Sequence, residues 1–380
     1  MRHRLQNKIA ESSICLPAAA IAATLLWWLP AGSYSVASML GWGCTALATY
    51  IVIEMSNVNA LLRVRSRLIS SLFLLVLTAF GFVHTLQPSL MIMLFMSMAL
   101  YALFETYGKY SPAEDTFHTY LMLSLGSLIW PPLLLLTPLL LISQGIYLRS
   151  LELRPLVAAL IGLVVPYWIW AGVTAVLGDF STFTTHASEI IQPLHDPIVA
   201  LMNHRSIIPN VYVRLHKALA QAGNNPFCAD YTTVFANPKS MVPWFSAAVL
   251  TGLMSITGFI HYLNKKYDDK IQVRMLYYTL LTLEGGILFW MFFQPWLFPI
   301  LLPTLVLVCS PAIAHFAALT HTWATNAWTL LLMLMIVATA VVCLALPYYS
   351  PQYAAPITSS YVIGGVMDLN ELSWLPLLKF

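Results

Sequence analysis

Residues 275–318 read MLYYTLLTLEGGILFWMFFQPWLFPILLPTLVLVCSPAIAHFAA, and Glu284 is the only one of them that is an acid, a lysine or an arginine. Two apolar runs, 275–293 and 297–318, are separated by Gln294, Pro295 and Trp296. A helix needs about 20 apolar residues to cross a bilayer core of roughly 30 Å. Each run therefore predicts a membrane-spanning helix.

The same pattern extends over most of the chain, of which 59% is hydrophobic and only 9% charged, against about 25% charged in soluble domains. It predicts nine further spans, at 14–29, 36–53, 68–83, 90–104, 120–130, 133–148, 156–177, 242–262 and 328–346. The expected fold is an all-α polytopic transmembrane bundle of about eleven spans. The N-terminus is expected inside and the C-terminus outside.

Basic residues support this orientation, because lysines and arginines concentrate in the cytoplasmic loops of membrane proteins. Thirteen of the eighteen fall in five groups that the span count places on one side: Arg2, Arg4 and Lys8; Arg63, Arg65 and Arg67; Lys109; Arg149 and Arg154; and Lys265, Lys266, Lys270 and Arg274. The chain then divides into about seven spans (1–178), a polar external loop (179–241), about four spans (242–347) and an external tail (348–380).

The segment 120–148 allows two interpretations, because Pro131 and Pro132 interrupt it. It forms either a proline-broken helical hairpin or a single kinked crossing. A single crossing would move Arg149, Arg154 and the basic group at 265–274 to the outside, against the charge bias. The hairpin is therefore predicted, either as two full crossings or as a re-entrant pair packed within the bundle.

Glu284 is the leading candidate for a substrate- or proton-binding residue. It follows Arg274 by ten residues, or about 15 Å of helix, which places it near the middle of the bilayer, where an ionised carboxylate is costly. Ser310 is expected at a similar height, beside Pro311, whose ring would free the carbonyl of Leu307. A hydrogen bond from Glu284 to Ser310 and a proton- or substrate-handling role are both open.

The external loop supplies the second group of candidates. A helix predicted at 210–220 carries Arg214, His216 and Lys217, and Arg205 lies shortly before it. These cationic groups could bind the phosphate of a lipid-linked substrate. The alternative is an amphipathic helix lying on the outer membrane surface.

Tryptophans are expected at the outer ends of the spans, since indoles favour membrane interfaces. The predicted positions are Trp27, Trp28, Trp130, Trp244 and Trp296. An aromatic belt and an aromatic-lined cavity both fit them.

Several classes of function are disfavoured. The net charge of +3 is dispersed over separate loops, whereas nucleic-acid binding needs a clustered basic surface. The four loop histidines, His186, His195, His204 and His216, match no standard zinc spacing. We expect no metal, no cofactor and no nucleic-acid partner.

One stretch carries a family resemblance. Residues 117–172 read FHTYLMLSLGSLIWPPLLLLTPLLLISQGIYLRSLELRPLVAALIGLVVPYWIWAG. This stretch, together with the region from Asp268 to Tyr278, resembles a family of polytopic inner-membrane proteins from Bacteroidota whose activity is not established. The resemblance implies a multi-pass protein of a bacterial inner membrane but assigns no site residues.

Three functions are considered. The favoured one is handling of a lipid-linked saccharide or other envelope precursor at the outer face of the inner membrane, because the polar loop and most tryptophans are expected on that side. The second is a proton- or ion-coupled transporter or flippase that uses Glu284. The third is a non-catalytic scaffold for other envelope proteins, and all three share the lipid bilayer as a partner.

Overall fold

The computed structural model describes residues 5–29, 35–64, 66–178, 180–190, 242–294 and 297–349. These residues form helices and no strands, as the apolar runs predict. The α-helices are α1 (Leu5–Glu11), α2 (Cys15–Trp28), α3 (Val36–Asn59), α4 (Leu68–Ala79), α5 (Pro88–Glu105), α6 (Ala113–Ile129), α7 (Thr137–Ile146), α8 (Leu153–Leu177), α9 (Phe180–Glu189), α10 (Val242–Lys265), α11 (Ile271–Phe293), α12 (Phe298–Leu319) and α13 (Trp323–Tyr349).

Seven of these helices are long and apolar enough to cross a membrane: α3, α5, α8, α10, α11, α12 and α13. Three further apolar segments are shorter, at Cys15–Trp28, Leu68–Ala79 and Pro131–Ile146. The lengths and composition indicate a multi-pass membrane protein.

Helix α12 lies at the centre of the described bundle and packs against α1, α4, α5, α10, α11 and α13. Every residue from Pro299 to Ala318 is buried, because other helices pack around this segment. Its apolar composition alone would also suit a helix that faces lipid, and α8 is equally apolar but mostly exposed. The side chains of the neighbouring helices are therefore arranged around α12.

The short span expected at 120–130 is wrong in its length. Helix α6 has 17 residues and begins at Ala113, directly after Pro112. Its first turn contains Glu114 and Asp115, and acidic residues stabilise the positive end of a helix. Because this turn is polar, it lies outside the apolar run from which the span was predicted.

The segment from α6 to α7 forms a hairpin, as the charge distribution predicted. A 3-10 turn at Pro131–Leu136 reverses the chain. Gln144, near the end of α7, donates to the hydroxyl of Thr116 at 2.7 Å and accepts from the hydroxyl of Tyr120 at 3.3 Å. Since Thr116 and Tyr120 lie in the first half of α6, the end of α7 has returned to the start of α6.

The connections show which helix ends lie together. Ser38, at the start of α3, contacts the indole of Trp27 and donates to the carbonyl of His84, just before α5. Helices α3 and α5 therefore start at the same end of the bundle and run in parallel. Their other ends are followed by Arg63 and Lys109, so two of the basic groups share the opposite end.

Most of the expected aromatic belt is buried inside the protein. Trp27, Trp130 and Trp244 are each less than a tenth exposed. The rings of Trp130 and Trp290 stack with centroids 5.4 Å apart, and Trp244 stacks on Phe82 at 3.8 Å. At these three positions the indoles pack against other side chains of the protein, so they do not form an outward-facing belt.

The close contact between α10 and α12 generates a test. A Cβ atom on Gly258 would lie 2.9 Å from the Cβ of Ala312, so Gly258→Ala should separate the helices and cost about 1–3 kcal/mol. The measurement is the thermal unfolding midpoint of the purified protein in detergent. Gly252→Ala on the same helix is the matched control, because its added Cβ would meet no atom of the described residues within 4 Å. Equal midpoints for the two variants would contradict this packing.

Candidate functional site

Glu284 lies on α11 and is fully buried. It is thirteen residues from the start of the helix at Ile271, or about 20 Å along its axis. Its side chain interacts with Ser255 of α10, and Cys309 of α12 lies within its electrostatic reach. The carboxyl group is thus enclosed where α10, α11 and α12 meet.

The predicted hydrogen bond between Glu284 and Ser310 is wrong. Ser310 Oγ instead donates to the carbonyl of Leu307 at 3.1 Å. Pro311 has no N–H for that carbonyl, and the serine hydroxyl takes the missing place. Ser310 therefore satisfies the carbonyl that Pro311 leaves without a donor, and it is not a hydrogen-bond partner of Glu284.

The carboxyl group of Glu284 has no hydrogen bond of standard geometry to any described residue. The hydroxyls of Ser255 and of Thr304, on α12, are also buried without one. Polar atoms inside proteins are normally hydrogen-bonded, and a carboxylate at this depth carries the added cost of its charge. The setting therefore favours a neutral, protonated carboxyl group at Glu284.

The two glycines beside Glu284 have different surroundings. A Cβ on Gly286 would collide with the side chain of Leu139 on α7, so Gly286 allows α7 and α11 to pack closely. A Cβ on Gly285 would meet no atom of the described residues within 4 Å. Gly285 borders an open groove of about 430 Å³. The lining is apolar except for the hydroxyls of Tyr147, Tyr278 and Thr282, and its other members are Phe259, Leu263, Leu281 and Gly285.

A second buried polar group lies at the basic end of the bundle. Asp269, in the short connection between α10 and α11, accepts from Arg63 Nε at 2.6 Å and faces His315 Nε2 at 3.0 Å. The side chains of Asp269 and His315 are only 2% and 1% exposed. Because a carboxylate only accepts hydrogen bonds, His315 carries its proton on Nε2. We call these three residues the Arg63–Asp269–His315 cluster.

Aromatic rings enclose the inner side of this cluster. Tyr262 and Tyr277 stack with centroids 4.2 Å apart, and both stand roughly edge-on to the ring of His315, at 5.1 and 5.5 Å. The half-buried His261 lies 5.4 Å from His315. The histidine is therefore in contact with aromatic groups of α10 and α11.

The ion pairs determine the charge of Asp269. Burial alone would raise the pKa of its carboxyl group, but hydrogen bonds from His315 and Arg63 outweigh this effect and hold the pKa below its ordinary value. Asp269 is thus an anion at neutral pH, despite its burial.

The sequence did not identify this cluster as a site. The charge pattern uses Arg63 only as one of the basic residues that indicate the inner side. Asp269 lies in one of the loops that carry these basic residues. His315 is the one ionisable side chain between Pro299 and Ala318 apart from the thiol of Cys309, and this was the available signal. The partners are 46 and 206 residues apart in the chain, so no local spacing connects them.

The four loop candidates, Arg205, Arg214, His216 and Lys217, lie outside the described residues, as does the predicted helix at 210–220. Their phosphate-binding role stays a prediction. The described part of the loop forms α9, on which His186 packs against Trp170 with ring centroids 4.6 Å apart. Within the described ranges no group of three or more His, Cys, Asp or Glu side chains could hold a metal ion.

The lowered pKa of Asp269 predicts a pH dependence of stability. Such a group stabilises the folded state above its unfolded pKa of about 4, and this contribution is lost as the pH falls through the lower folded pKa. Asp269→Asn should therefore cost about 2 kcal/mol at pH 7, the scale of hydrogen bonds to charged groups. The difference from wild type should shrink as the pH falls below about 4.

Thermal unfolding of both proteins across this pH range checks the prediction. Asp268→Asn is the matched control, because its side chain is 60% exposed and lies 3.9 Å from Arg63. A pH-independent difference between Asp269→Asn and wild type would show that the ion pairs are not its source.

Comparisons with protein-family models, with curated proteins and with solved structures found no match for this chain. Its function must therefore be argued from Glu284, the Arg63–Asp269–His315 cluster and their surroundings.

Proposed function

We propose that this chain is a multi-pass protein of a bacterial inner membrane that binds and releases a proton at Glu284 during coupled transport. The resemblance of residues 117–172 to the Bacteroidota family suggests the membrane. The observation that carries the mechanism is a fully buried carboxyl group, at the meeting of three apolar helices, with no standard hydrogen bond to any described residue. Intramembrane acids of this kind mark proton and ion pathways in membrane proteins.

The proposed topology has eleven crossings, with the N-terminus in the cytoplasm and the C-terminus outside. It counts the three shorter apolar segments and α6 as crossings in addition to the seven long helices. The shared position of Arg63 and Lys109 at one end of the bundle supports it, because basic residues favour the cytoplasmic side.

Proton exchange at Glu284 would be coupled to movement of a substrate through rearrangement of the helices around it. Pro303 and Pro311 interrupt the hydrogen bonding of α12, and broken helices commonly line the binding sites of transporters. The groove beside Gly285 lies next to the acid in sequence and is one place for an apolar substrate group to dock. Its three hydroxyls would orient such a group.

Handling of an envelope precursor depends on Arg205, Arg214 and Lys217, and the scaffold function on the loop and tail. Both stay predictions from the sequence. The transporter proposal is preferred because its principal residue lies in a described and unusual environment.

Growth of a strain without the chromosomal copy tests the proposal. Glu284→Gln should fail to restore growth, because the amide keeps the size of the carboxyl group but cannot bind and release a proton. Glu54→Gln is the matched control, since Glu54 is a half-buried acid on α3, and it should grow as wild type. The amount of protein in the membrane is measured for each variant.

Two further variants separate the other functions. Wild-type growth of Glu284→Gln would rule out the transport proposal. Loss of growth in Arg214→Ala/Lys217→Ala alone would favour precursor handling. If all these variants grow but deletion of residues 179–241 removes a complex from native gels, the scaffold function is correct.

The topology makes a separate prediction. Leu29 and Tyr110 are 76% and 91% exposed and lie on opposite sides of the membrane in the proposed arrangement. In a Cys228→Ser background, a membrane-impermeant maleimide should label Leu29→Cys in intact cells. It should label Tyr110→Cys only after permeabilisation, and the opposite pattern would reverse the orientation.

A further inference from the structure

The proton-binding function proposed for Glu284 does not involve the Arg63–Asp269–His315 cluster. His315 uses Nε2 for Asp269, whereas its other nitrogen, Nδ1, is buried without a hydrogen bond to any described residue. An imidazole that is bonded on one side and free on the other can accept a proton at one nitrogen and release one from the other. A purely structural ion pair does not need this second nitrogen.

We infer that His315 and Asp269 carry protons between Glu284 and the aqueous phase at the basic end of the bundle. This inference rests on the proposed function of Glu284 and adds the route by which its proton arrives. The transfer moves one proton and involves no oxidation or reduction.

The outer part of the route is accessible to water. The side chain of Arg63 is 41% exposed and contacts Asp269 directly. His261, on the other side, is half-buried, and its ring lies 5.4 Å from that of His315. Asp269 is therefore one side chain below the surface.

The inner part follows the facing surfaces of α10 and α11. Tyr262 and Ser255 are seven residues apart on α10, and Tyr277 and Glu284 are seven apart on α11. Seven residues are two helical turns, or about 10 Å, so each tyrosine lies on the same face as the polar residue above it. The route therefore runs from the His315 ring past the tyrosines to Glu284 and Ser255.

The hydroxyl groups of the two tyrosines differ in their hydrogen bonding. The hydroxyl of Tyr277 donates to the carbonyls of Leu61 and Pro311, at 3.3 and 3.2 Å. The hydroxyl of Tyr262 interacts with Asp269 but has no hydrogen bond of standard geometry within the described bundle. Tyr262 is thus the ring that can change partners next to Asp269, and water molecules would bridge the remaining distance to Glu284.

Apart from the two tyrosines, two ionisable groups of the described residues lie against His315 itself: Asp269 and His261. Further charges surround these neighbours, with Arg63 paired to Asp269, Lys265 near His261 and Arg274 near Tyr262.

When Glu284 releases its proton, Nδ1 of His315 accepts it and Nε2 passes its own proton to Asp269, which gives it to water. The ring is then protonated on Nδ1, and the reverse delivery, from Asp269 to Nε2 and from Nδ1 towards Glu284, restores the Nε2–H form.

Time-resolved infrared spectroscopy of the full chain in lipid vesicles tests the route. A light-released proton lowers the pH, and the carboxyl band of Glu284, identified by its absence in Glu284→Gln, reports protonation. His315→Gln should slow the growth of this band at least about tenfold, since positioned proton donors accelerate transfer by 10² or more. The final amplitude should be unchanged, because the equilibrium at Glu284 does not require the relay.

His321→Gln is the matched control, because His321 bonds to Asn7 at the same end of the bundle and lies outside the cluster. Its rate should equal that of wild type. Asp269→Asn should slow the band as His315→Gln does, and it serves as the second variant if the histidine change impairs folding.

The outcomes distinguish the two proposals. A carboxyl band at Glu284 that grows at the wild-type rate in both His315→Gln and Asp269→Asn would overturn the relay and leave the proposed function standing. The absence of any Glu284 band change in wild type would overturn the proposed function, and the relay with it.

Discussion

The complete burial of α12 is the constraint on which the rest of the structure depends. A helix enclosed on every side cannot turn a polar group to water or to lipid headgroups, so each of its polar atoms must find a partner in the protein or remain unpaired. Ser310 satisfies the carbonyl that Pro311 releases, and His315 pairs with Asp269. Thr304 stays unpaired among the described residues. Both candidate polar centres are consequences of how the neighbouring helices accommodate α12.

The carboxyl groups of Asp269 and Glu284 are both buried, but their surroundings compensate a negative charge to different extents. Asp269 keeps its negative charge because Arg63 and His315 compensate it directly. Glu284, with no basic partner, fits its surroundings best as a neutral acid. Asp269 thus keeps its charge at neutral pH and lies close to water, whereas Glu284 is enclosed without a charged partner among the described residues.

How far the sequence predicts this structure depends on the range of each signal. Apolar runs locate the helices, and the positions of arginine and lysine favour the α6–α7 hairpin, because both signals are local or act through the membrane. The first turn of α6 is missed because Glu114 and Asp115 interrupt the apolar pattern. Glu284 is identified because an isolated acid is visible in one apolar run. The Arg63–Asp269–His315 cluster is not, since its members meet only after α3, α10, α11 and α12 have packed.

The three-centre hydrogen bond of Tyr277 has a mechanical consequence. One phenol joins the carbonyls of Leu61, after α3, and of Pro311, in the middle of α12, to its own helix α11. Three parts of the chain that are distant in sequence are thereby fastened at a single point near the basic end. A change of conformation that preserves this fastening pivots about it, so displacement of the three helices relative to one another grows with distance from Tyr277. Such a change would therefore displace the three segments least near Tyr277 and most at the end of the bundle that holds Trp27, Trp130 and Trp244.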